Sequence, residues 1–321
     1  RQAGHGRKHD GAQKIIIDTD PGQDDAVAIL LALASPELEL LGITAVAGNV
    51  PLALTQANVR KICELAGRTD IPVFAGADRP LLRRLVTAEY VHGKTGLDGP
   101  ALPEPAMPLQ SQHAVDFLIE TVMTGEPGSI TLVPIGPLTN IAMAMMREPE
   151  FAPRLQRIVL MGGGFSEGGN TTPAAEFNIY VDPHAAARVL AGGVPIVMMP
   201  LDVTHKVLTT RRRIERIRAL GTPVCRAVAE MLDFFERHDE AKYGSDGGPL
   251  HDPCTIAWLL APDLFAGRDC NVEVVTDSEL AMGMTVVDWW QVTGRPVNAT
   301  VIRSVDADGF FELLTTRLAG L

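Results

Sequence analysis

Cysteine is scarce in this chain of 321 residues, which contains only four. They are Cys63, Cys225, Cys254 and Cys270, and no two of them form a C-x-x-C pair. This spacing excludes a zinc knuckle and a dithiol motif. We therefore predict that all four are reduced thiols with a structural role.

Positively charged residues are also few: the chain has 28 Lys and Arg residues against 39 Asp and Glu residues, and its formal net charge is −11. Binding to nucleic acid requires an excess of Lys and Arg around the phosphates. We therefore expect no nucleic-acid partner, whereas a small ligand without phosphate remains compatible with the composition.

Long apolar runs are absent, so we expect no membrane span. Residues 1–13 are polar and rich in glycine, without the apolar centre of a secretory signal. We predict a disordered leader over residues 1–13, one domain over residues 14–321 and, by default, a location in the cytoplasm.

The rest of the chain alternates between short β-branched runs and segments with helical spacing. Predicted strands are Lys14–Asp18, Leu38–Ala47, Ile71–Ala75, Ile130–Ile135, Arg157–Met161, Pro195–Met199, Val272–Val275 and Met284–Asp288. Predicted helices are Asp24–Ala34, Leu52–Ala66, Ala114–Met123, Leu138–Met146, Pro183–Leu190, Arg212–Leu220, Pro223–Arg237 and Asp252–Leu260. This alternation predicts an α/β fold: a single doubly wound, mostly parallel, Rossmann-like sheet with extra helices toward the C-terminus.

Two segments have the composition of loops that close over an active site. Thr87–Pro108 is rich in Gly and Pro, and Arg237–Pro249 is polar with three glycines. Such loops often act as lids in α/β enzymes, although ordinary surface loops have the same composition.

The strongest chemical signal is an acidic cluster between the first strand and the first helix. Asp18, Asp20, Asp24 and Asp25 fall within eight residues, around a Pro-Gly turn. Acids at a helix N-terminus are stabilised by the helix dipole, but capping explains only one or two of them. Crowded carboxylates repel one another unless a cation is present, and oxygen ligands suit Ca²⁺ or Mg²⁺. We therefore predict a metal site.

Phosphoryl transfer through an aspartyl-phosphate is the main alternative use of such a cluster. It requires a Lys and a hydroxyl residue at neighbouring strand ends to hold the phosphoryl group. The neighbouring strand ends are instead Ala47-Gly-Asn49, Ile135-Gly-Pro137 and Met161-Gly-Gly-Gly164, without a cation among them.

The opening motif resembles the signature of the nucleoside hydrolases, the inosine-uridine preferring family. Further matching segments occur in the same order: Ala47-Gly-Asn49, Pro134–Asn140, Met161–Gly164, Gly169-Asn170, Ala175-Glu-Phe-Asn178 and His251-Asp-Pro253. The resemblance extends from Lys14 to the C-terminal strands. It implies hydrolysis of the N-glycosidic bond of ribonucleosides.

The resemblance implies a Ca²⁺ ion held by the carboxylates of Asp20, Asp25 and Asp252 and by the backbone carbonyl of Ile135. A water molecule and the 2′- and 3′-hydroxyls of ribose would complete the shell. Asp20 matches the general base, because a carboxylate beside the metal-bound water can accept its proton. His251 matches the acid that assists the departing base.

The resemblance also implies a set of substrate-binding residues around an oxocarbenium-like transition state. These are Asp24, Asn49, Met161, Asn170, Glu176 and Asn178 around the ribose. From their positions in the two candidate loops, we expect His92 and Tyr243 to lie near the base. We expect inosine and uridine, or pyrimidine nucleosides, as substrates, and a homodimer or homotetramer. A phosphatase or phosphotransferase and a non-catalytic nucleoside- or ribose-binding protein remain open alternatives.

Overall fold

The structure of the chain is a computed structural model that describes residues 11–243 and 246–321, with the backbone alone described for residues 238–243. The strands are β1 Gln13–Thr19, β2 Leu38–Ala45, β3 Val73–Ala75, β4 Ile130–Pro134, β5 Arg157–Met161, β6 Ile196–Met199, β7 Leu208–Thr209, β8 Gly248–Pro249, β9 Phe265–Cys270, β10 Val272–Val274, β11 Thr285–Val287 and β12 Ala299–Val305. The helices are α1 Gln23–Leu33, α2 Leu52–Leu65, α3 Glu89–His92, α4 Ala114–Thr124, α5 Thr139–Arg147, α6 Phe177–Val181, α7 Pro183–Leu190, α8 Leu201–Thr204, α9 Arg211–Arg218, α10 Pro223–Tyr243, α11 Pro253–Leu260 and α12 Ala307–Leu318.

Within the described residues, eight strands form the central sheet, in the order β3-β2-β1-β4-β5-β6-β12-β9. Every neighbouring pair is parallel except β12 with β9. The chain builds outward from β1 to β3, then returns to β4 on the other side of β1. The predicted doubly wound sheet is confirmed, and its direction reverses between β1 and β4, where ligands bind in such sheets.

Helices cover both faces of the sheet, which explains why β1 is apolar without alternation. Ile15 and Ile17 pack into one core, against α1, α2 and the C-terminal helices. Ile16 points to the opposite face and packs with Leu118 of α4 and Ile141 of α5 in a second core. All three isoleucines are fully buried. Their packing on both faces holds β1 in place, and with it the residues that follow at its carboxyl end.

The later part of the chain differs from the sequence prediction in the extent of helix α10 and in several elements that were not predicted. Helix α10 continues to Tyr243, so the predicted loop from Arg237 is wrong for residues 237–243. That stretch contains no Gly or Pro, and its Arg, Glu, Ala and Lys residues are good helix formers. Strands β9 and β12 and helix α12 were not predicted, although β12 extends the parallel sheet.

Further expectations concern the N-terminal leader, the loops, the cysteines and membrane spans. Residues 1–10 of the predicted leader lie outside the described residues, and β1 begins at Gln13. The segment Thr87–Pro108 contains one short helix, α3, and otherwise lacks regular structure. The four cysteines are free and buried, as predicted. Within the described residues, no helix combines the length and the apolar character needed to cross a bilayer.

Candidate active site

The functional residues meet at the carboxyl ends of β1 and β4, where the winding of the sheet reverses. Asp20 follows β1 directly, and Ile135 follows β4 directly. The two strand ends are joined because the backbone N–H of Ile135 donates to the carbonyl of Asp18 at 2.8 Å. Asp252 lies at the N-terminus of α11, more than two hundred residues after Asp20 in the sequence, and joins the same site.

Four buried aspartates form what we call the acid cluster: Asp20, Asp24, Asp25 and Asp252. Carboxylate oxygens of Asp24, Asp25 and Asp252 all lie within 4.8 Å of one another. The four residues are at most 5% exposed. Asp24 therefore lies among the candidate ligands, whereas the sequence prediction assigned it to the ribose.

Asp20 is held rigidly beside the other three acids. Its Oδ2 accepts a hydrogen bond from the backbone N–H of Asn49 at 2.8 Å, and Asn49 Nδ2 donates to the Asp20 carbonyl at 2.9 Å. A Cβ atom at Gly48 would overlap the Asp20 carboxylate, which explains the glycine in Ala-Gly-Asn. Asp20 Oδ1 is buried and receives no hydrogen bond from the described residues.

The electrostatics of the acid cluster favour a bound cation. Burial, followed by the charge of Asp25, raises the pKa of Asp24 to about 8. The same two causes raise the pKa of Asp20 well above its usual range. Burial and the charges of Asp24 and Asp25 act in the same way on the pKa of Asp252. Among the described ion pairs, none includes a member of this cluster.

Asp18, the fourth acid of the sequence motif, has a separate role. Its Oδ2 accepts hydrogen bonds from Thr44 Oγ1 at 2.6 Å and from Asn140 Nδ2 at 2.8 Å. Burial raises its pKa to about 7, against these two hydrogen bonds. Asp18 therefore links β1 to β2 and α5 through hydrogen bonds. It is not part of the acid cluster, whose fourth member is Asp252.

A wall of amide and carboxylate groups faces the acid cluster. Glu176 caps the start of α6, and its carboxylate accepts from the backbone N–H groups of Gly163, Asn178 and Ile179 at 3.0, 2.8 and 3.3 Å. Asn178 Nδ2 donates to the carbonyls of Ile135 and Met161 at 3.2 and 3.1 Å. The second lone pair of the Ile135 carbonyl can still accept or coordinate a ligand.

Two histidines and a phenylalanine form the other end of the pocket. The His92 ring stacks on Phe235, with centroids 5.7 Å apart, and Phe235 meets His251 edge-on at 6.4 Å. His251 Nδ1 lies 2.7 Å from Thr204 Oγ1 of α8. Both histidines thus have one ring nitrogen in contact with a neighbouring side chain and line the same pocket.

One pocket of about 660 Å³, including its mouth open to solvent, joins these groups. The predicted residues that line it are Asp24, Asp25, Asn49, His92, Ile135, Met161, Asn170, Glu176, Asn178, His251 and Asp252. Asp20 lies next to them in the acid cluster, and the side chain of Tyr243 lies outside the described residues. No Lys or Arg is among the described residues of the lining.

Several lining residues were not predicted from the sequence. Tyr90 lines the mouth and is 63% exposed, and Phe235 lies between the two histidines. Phe235 has the spacing of an ordinary core residue on α10, so the sequence pattern offers no sign of a role in binding. Thr204 and Gln23 were also missed, because their importance rests on contacts with distant histidines.

The buried carboxylate of Glu176 makes the stability of the metal-free protein depend on pH. Burial raises its pKa from 4.5 to about 7, against the backbone hydrogen bonds it accepts. The contribution of this shift to stability is complete below pH 4.5 and is lost as the pH rises through 7. Glu176→Gln removes this dependence. We compare the unfolding free energies of Glu176→Gln and the native protein in the presence of a chelator. Between pH 4.5 and pH 8, we expect their difference to change by about 3 kcal/mol in favour of the variant. Denaturant titrations at both pH values measure it, and a difference that stays constant with pH contradicts the assignment.

Comparison with known proteins gives one family. The family model described as inosine-uridine preferring nucleoside hydrolase matches residues 15–312. An uncharacterized protein of Schizosaccharomyces pombe is 57% identical over 308 residues, covering 96% of this chain and 99% of that protein. The pyrimidine-specific ribonucleoside hydrolase RihA of Shewanella sp. strain ANA-3 is 52% identical over 309 residues, covering 96% of each chain.

Solved structures agree with the sequence matches. A purine-preferring ribonucleoside hydrolase from Gardnerella vaginalis superposes with a TM-score of 0.90 at 32% identity, covering 96% of this chain and 98% of the other. A plant nucleoside hydrolase superposes with a TM-score of 0.88 at 34% identity, covering 96% and 99%.

Proposed function

The chain belongs to the inosine-uridine preferring nucleoside hydrolase family, and from this premise we propose that it hydrolyses pyrimidine ribonucleosides with a Ca²⁺ ion held by its acid cluster. The reaction releases ribose and the free base. The cluster supports this proposal most directly, because three buried carboxylates within 4.8 Å of one another require a cation to remain ionised together.

The chemistry of the donor set fits a hard divalent ion. The candidate ligands are the carboxylates of Asp20, Asp24, Asp25 and Asp252 and the carbonyl of Ile135, all of them oxygen donors, as calcium prefers. Asp20 Oδ1 is buried and receives no hydrogen bond from the part of the chain that the structure describes, which fits a ligand position. When bound, the ion offsets the repulsion among the acids and lowers the pKa of a coordinated water molecule.

The protein's own groups then have distinct tasks. Asp20 accepts the proton of the attacking water. Glu176 offers an acceptor to the ribose hydroxyls, and so does Asn178, whose Oδ1 remains to accept because its Nδ2 donates to two carbonyls. The negative charge around the sugar stabilises the positive charge that develops at C1′ as the base departs. Because the described lining contains no Lys or Arg, it suits a neutral nucleoside better than a phosphate ester.

Two observations support a pyrimidine base. The named pyrimidine-specific relative is 52% identical to this chain, whereas the purine-preferring structure is 32% identical. His251 and His92 line the same end of the pocket and offer polar contacts to the base.

Measuring free ribose released from uridine, cytidine and inosine tests the proposal. We expect release from the pyrimidine nucleosides in the presence of calcium. Turnover of a phosphate ester without ribose release would favour the phosphotransferase alternative. Tight binding of nucleosides without turnover, in protein with Asp20 intact, would favour a binding protein.

His251 is proposed to donate a hydrogen bond or a proton to the departing base. With Nδ1 engaged by Thr204, Nε2 is the nitrogen that can serve this role. We expect His251→Ala to lower kcat for uridine about 10²-fold and to spare nitrophenyl riboside, whose leaving group needs no assistance. Thr204→Val, which keeps the shape of the side chain, should produce a smaller loss of the same kind. Equal slowing of both substrates would contradict the leaving-group role.

We also propose that the protein assembles as a homodimer or homotetramer. Exposed apolar side chains support this, because Leu280, Trp290 and Val292 are 91, 74 and 82% exposed and such groups favour burial in an interface. Analytical ultracentrifugation distinguishes these states from a monomer.

A further inference from the structure

His92 lies at the end of the pocket that is proposed to receive the base. It is 6% exposed, and its ring is stacked on Phe235 at an interplanar angle of 16°. A Cβ atom at Gly22 would overlap the His92 ring, so the glycine lets the imidazole pack directly on the backbone at the start of α1. Phe235 and the backbone at Gly22 therefore hold the imidazole ring in one position. This position determines which groups its two nitrogens can contact.

The amide of Gln23 has only one orientation that satisfies its neighbours. Its Nε2 lies 2.9 Å from the carbonyl oxygen of His92 and 3.0 Å from that of Asp98. Carbonyl oxygens accept hydrogen bonds and never donate them, so the atom that faces both must be the NH₂ group. The Gln23 oxygen is consequently the atom that meets His92 Nδ1, at 2.5 Å.

This orientation determines the tautomer of His92. Because Gln23 Oε1 can only accept, Nδ1 carries the hydrogen. In the neutral ring Nε2 then holds a lone pair, and every hydrogen bond that Nε2 makes is one it accepts. A ring flip would place a carbon in front of Gln23 Oε1 and break this hydrogen bond. Gln23 thus decides what His92 presents to the pocket.

We propose that Gln23 fixes His92 as a hydrogen-bond acceptor for the base and thereby makes the enzyme select uridine over cytidine. This inference rests on the proposed function. Uracil carries an N3–H donor at the edge where cytosine carries an unprotonated N3 acceptor. The lone pair on His92 Nε2 can accept a hydrogen bond from the N3–H of uracil, but it repels the lone pair on N3 of cytosine. A buried polar group left without a hydrogen-bond partner destabilises the complex.

Steady-state kinetics with uridine, cytidine and 3-methyluridine test the inference in the calcium-loaded enzyme. We expect kcat/KM for uridine to exceed that for cytidine and for 3-methyluridine, both of which lack the N3–H, by roughly ten- to a hundred-fold. Gln23→Met should lower kcat/KM for uridine and bring the ratio of uridine to cytidine close to one. A purely structural role of Gln23 would lower both rates together and leave the ratio unchanged.

A matched control is Gln56→Met, the same substitution on α2, where Gln56 contacts Arg60 away from the pocket. This variant should keep the native preference. Equal kcat/KM for uridine and cytidine in the native enzyme would overturn the inference while leaving the proposed function intact.

The tautomer itself can be measured without turnover. Long-range ¹H–¹⁵N correlation spectra of the histidine rings, with His92→Ala used for assignment, should show His92 protonated at Nδ1 and unprotonated at Nε2. The opposite tautomer would overturn the inference. If no nucleoside were hydrolysed, the proposed function would fail, and this spectrum would still decide the state of His92.

Discussion

Replacing Asp20 by Asn should reduce the rate of ribose release from uridine by about 10²–10⁴-fold in saturating calcium. The amide keeps the shape of the side chain but cannot accept a proton from water. Because Asn49 and the backbone at Gly48 hold this side chain in place, the variant should keep the native arrangement around it. We expect the loss mainly in kcat, with KM for uridine changed only slightly, and initial-rate measurements over a range of uridine concentrations separate the two.

Two controls show whether that loss is chemical. Asp18→Asn is the same substitution two residues earlier, at an acid that bonds to Thr44 and Asn140 instead of joining the cluster, and it should cost far less activity. Since burial and Asp25 already raise the pKa of Asp20, Asp20→Asn should not lower the melting temperature in chelator. An Asp20→Asn enzyme with near-native kcat would eliminate Asp20 as the general base.

Removing calcium should abolish nucleoside hydrolysis, with a loss of at least about 10²-fold, and adding calcium back should restore it. Without a cation, the four acids of the cluster repel one another or take up protons, because burial and mutual repulsion raise the pKa of Asp20, Asp24 and Asp252. The general base and the anchor for ribose are then lost together. The measurement is ribose release after chelation and during a calcium titration.

The same titration should stabilise the folded chain, because the ion binds only to the assembled cluster. At a calcium concentration of about 100 times Kd, linkage predicts a gain of roughly 2.7 kcal/mol in unfolding free energy. Mg²⁺ should be less effective, since it demands a smaller and more regular shell. Undiminished activity in enzyme shown by elemental analysis to be free of metal would contradict a metal-dependent reaction.

The parts of the fold that could be predicted are those with strong local patterns. The run Ile15–Ile17 followed by Asp and Pro-Gly identified a buried parallel strand and its end, and Asp24 and Asp25 marked the start of α1. Parallel strands bring their carboxyl ends to one edge of the sheet, so Asp20 and Ile135 could be expected together. The family resemblance supplied the ligand role of Ile135, and it also supplied Asp252, which no local pattern connects with Asp20.

The parts that could not be predicted depend on contacts between distant segments. Gln23 appears in the motif as one polar residue among acids, and only the folded chain brings it to His92 and Asp98. Phe235 has core spacing, yet its ring lines the pocket. Strand β12 was missed because its burial depends on β6 and β9 on either side of it, which one sequence does not reveal.

A crystal structure of the protein grown with calcium and ribose measures the central claim most directly. We predict a strong density peak within the acid cluster of Asp20, Asp24, Asp25 and Asp252, within about 2.3–2.6 Å of carboxylate oxygens and of the Ile135 carbonyl, with the sugar hydroxyls beside it. Carboxylates that turn away from one another around ordinary water, with ribose bound elsewhere, would contradict it.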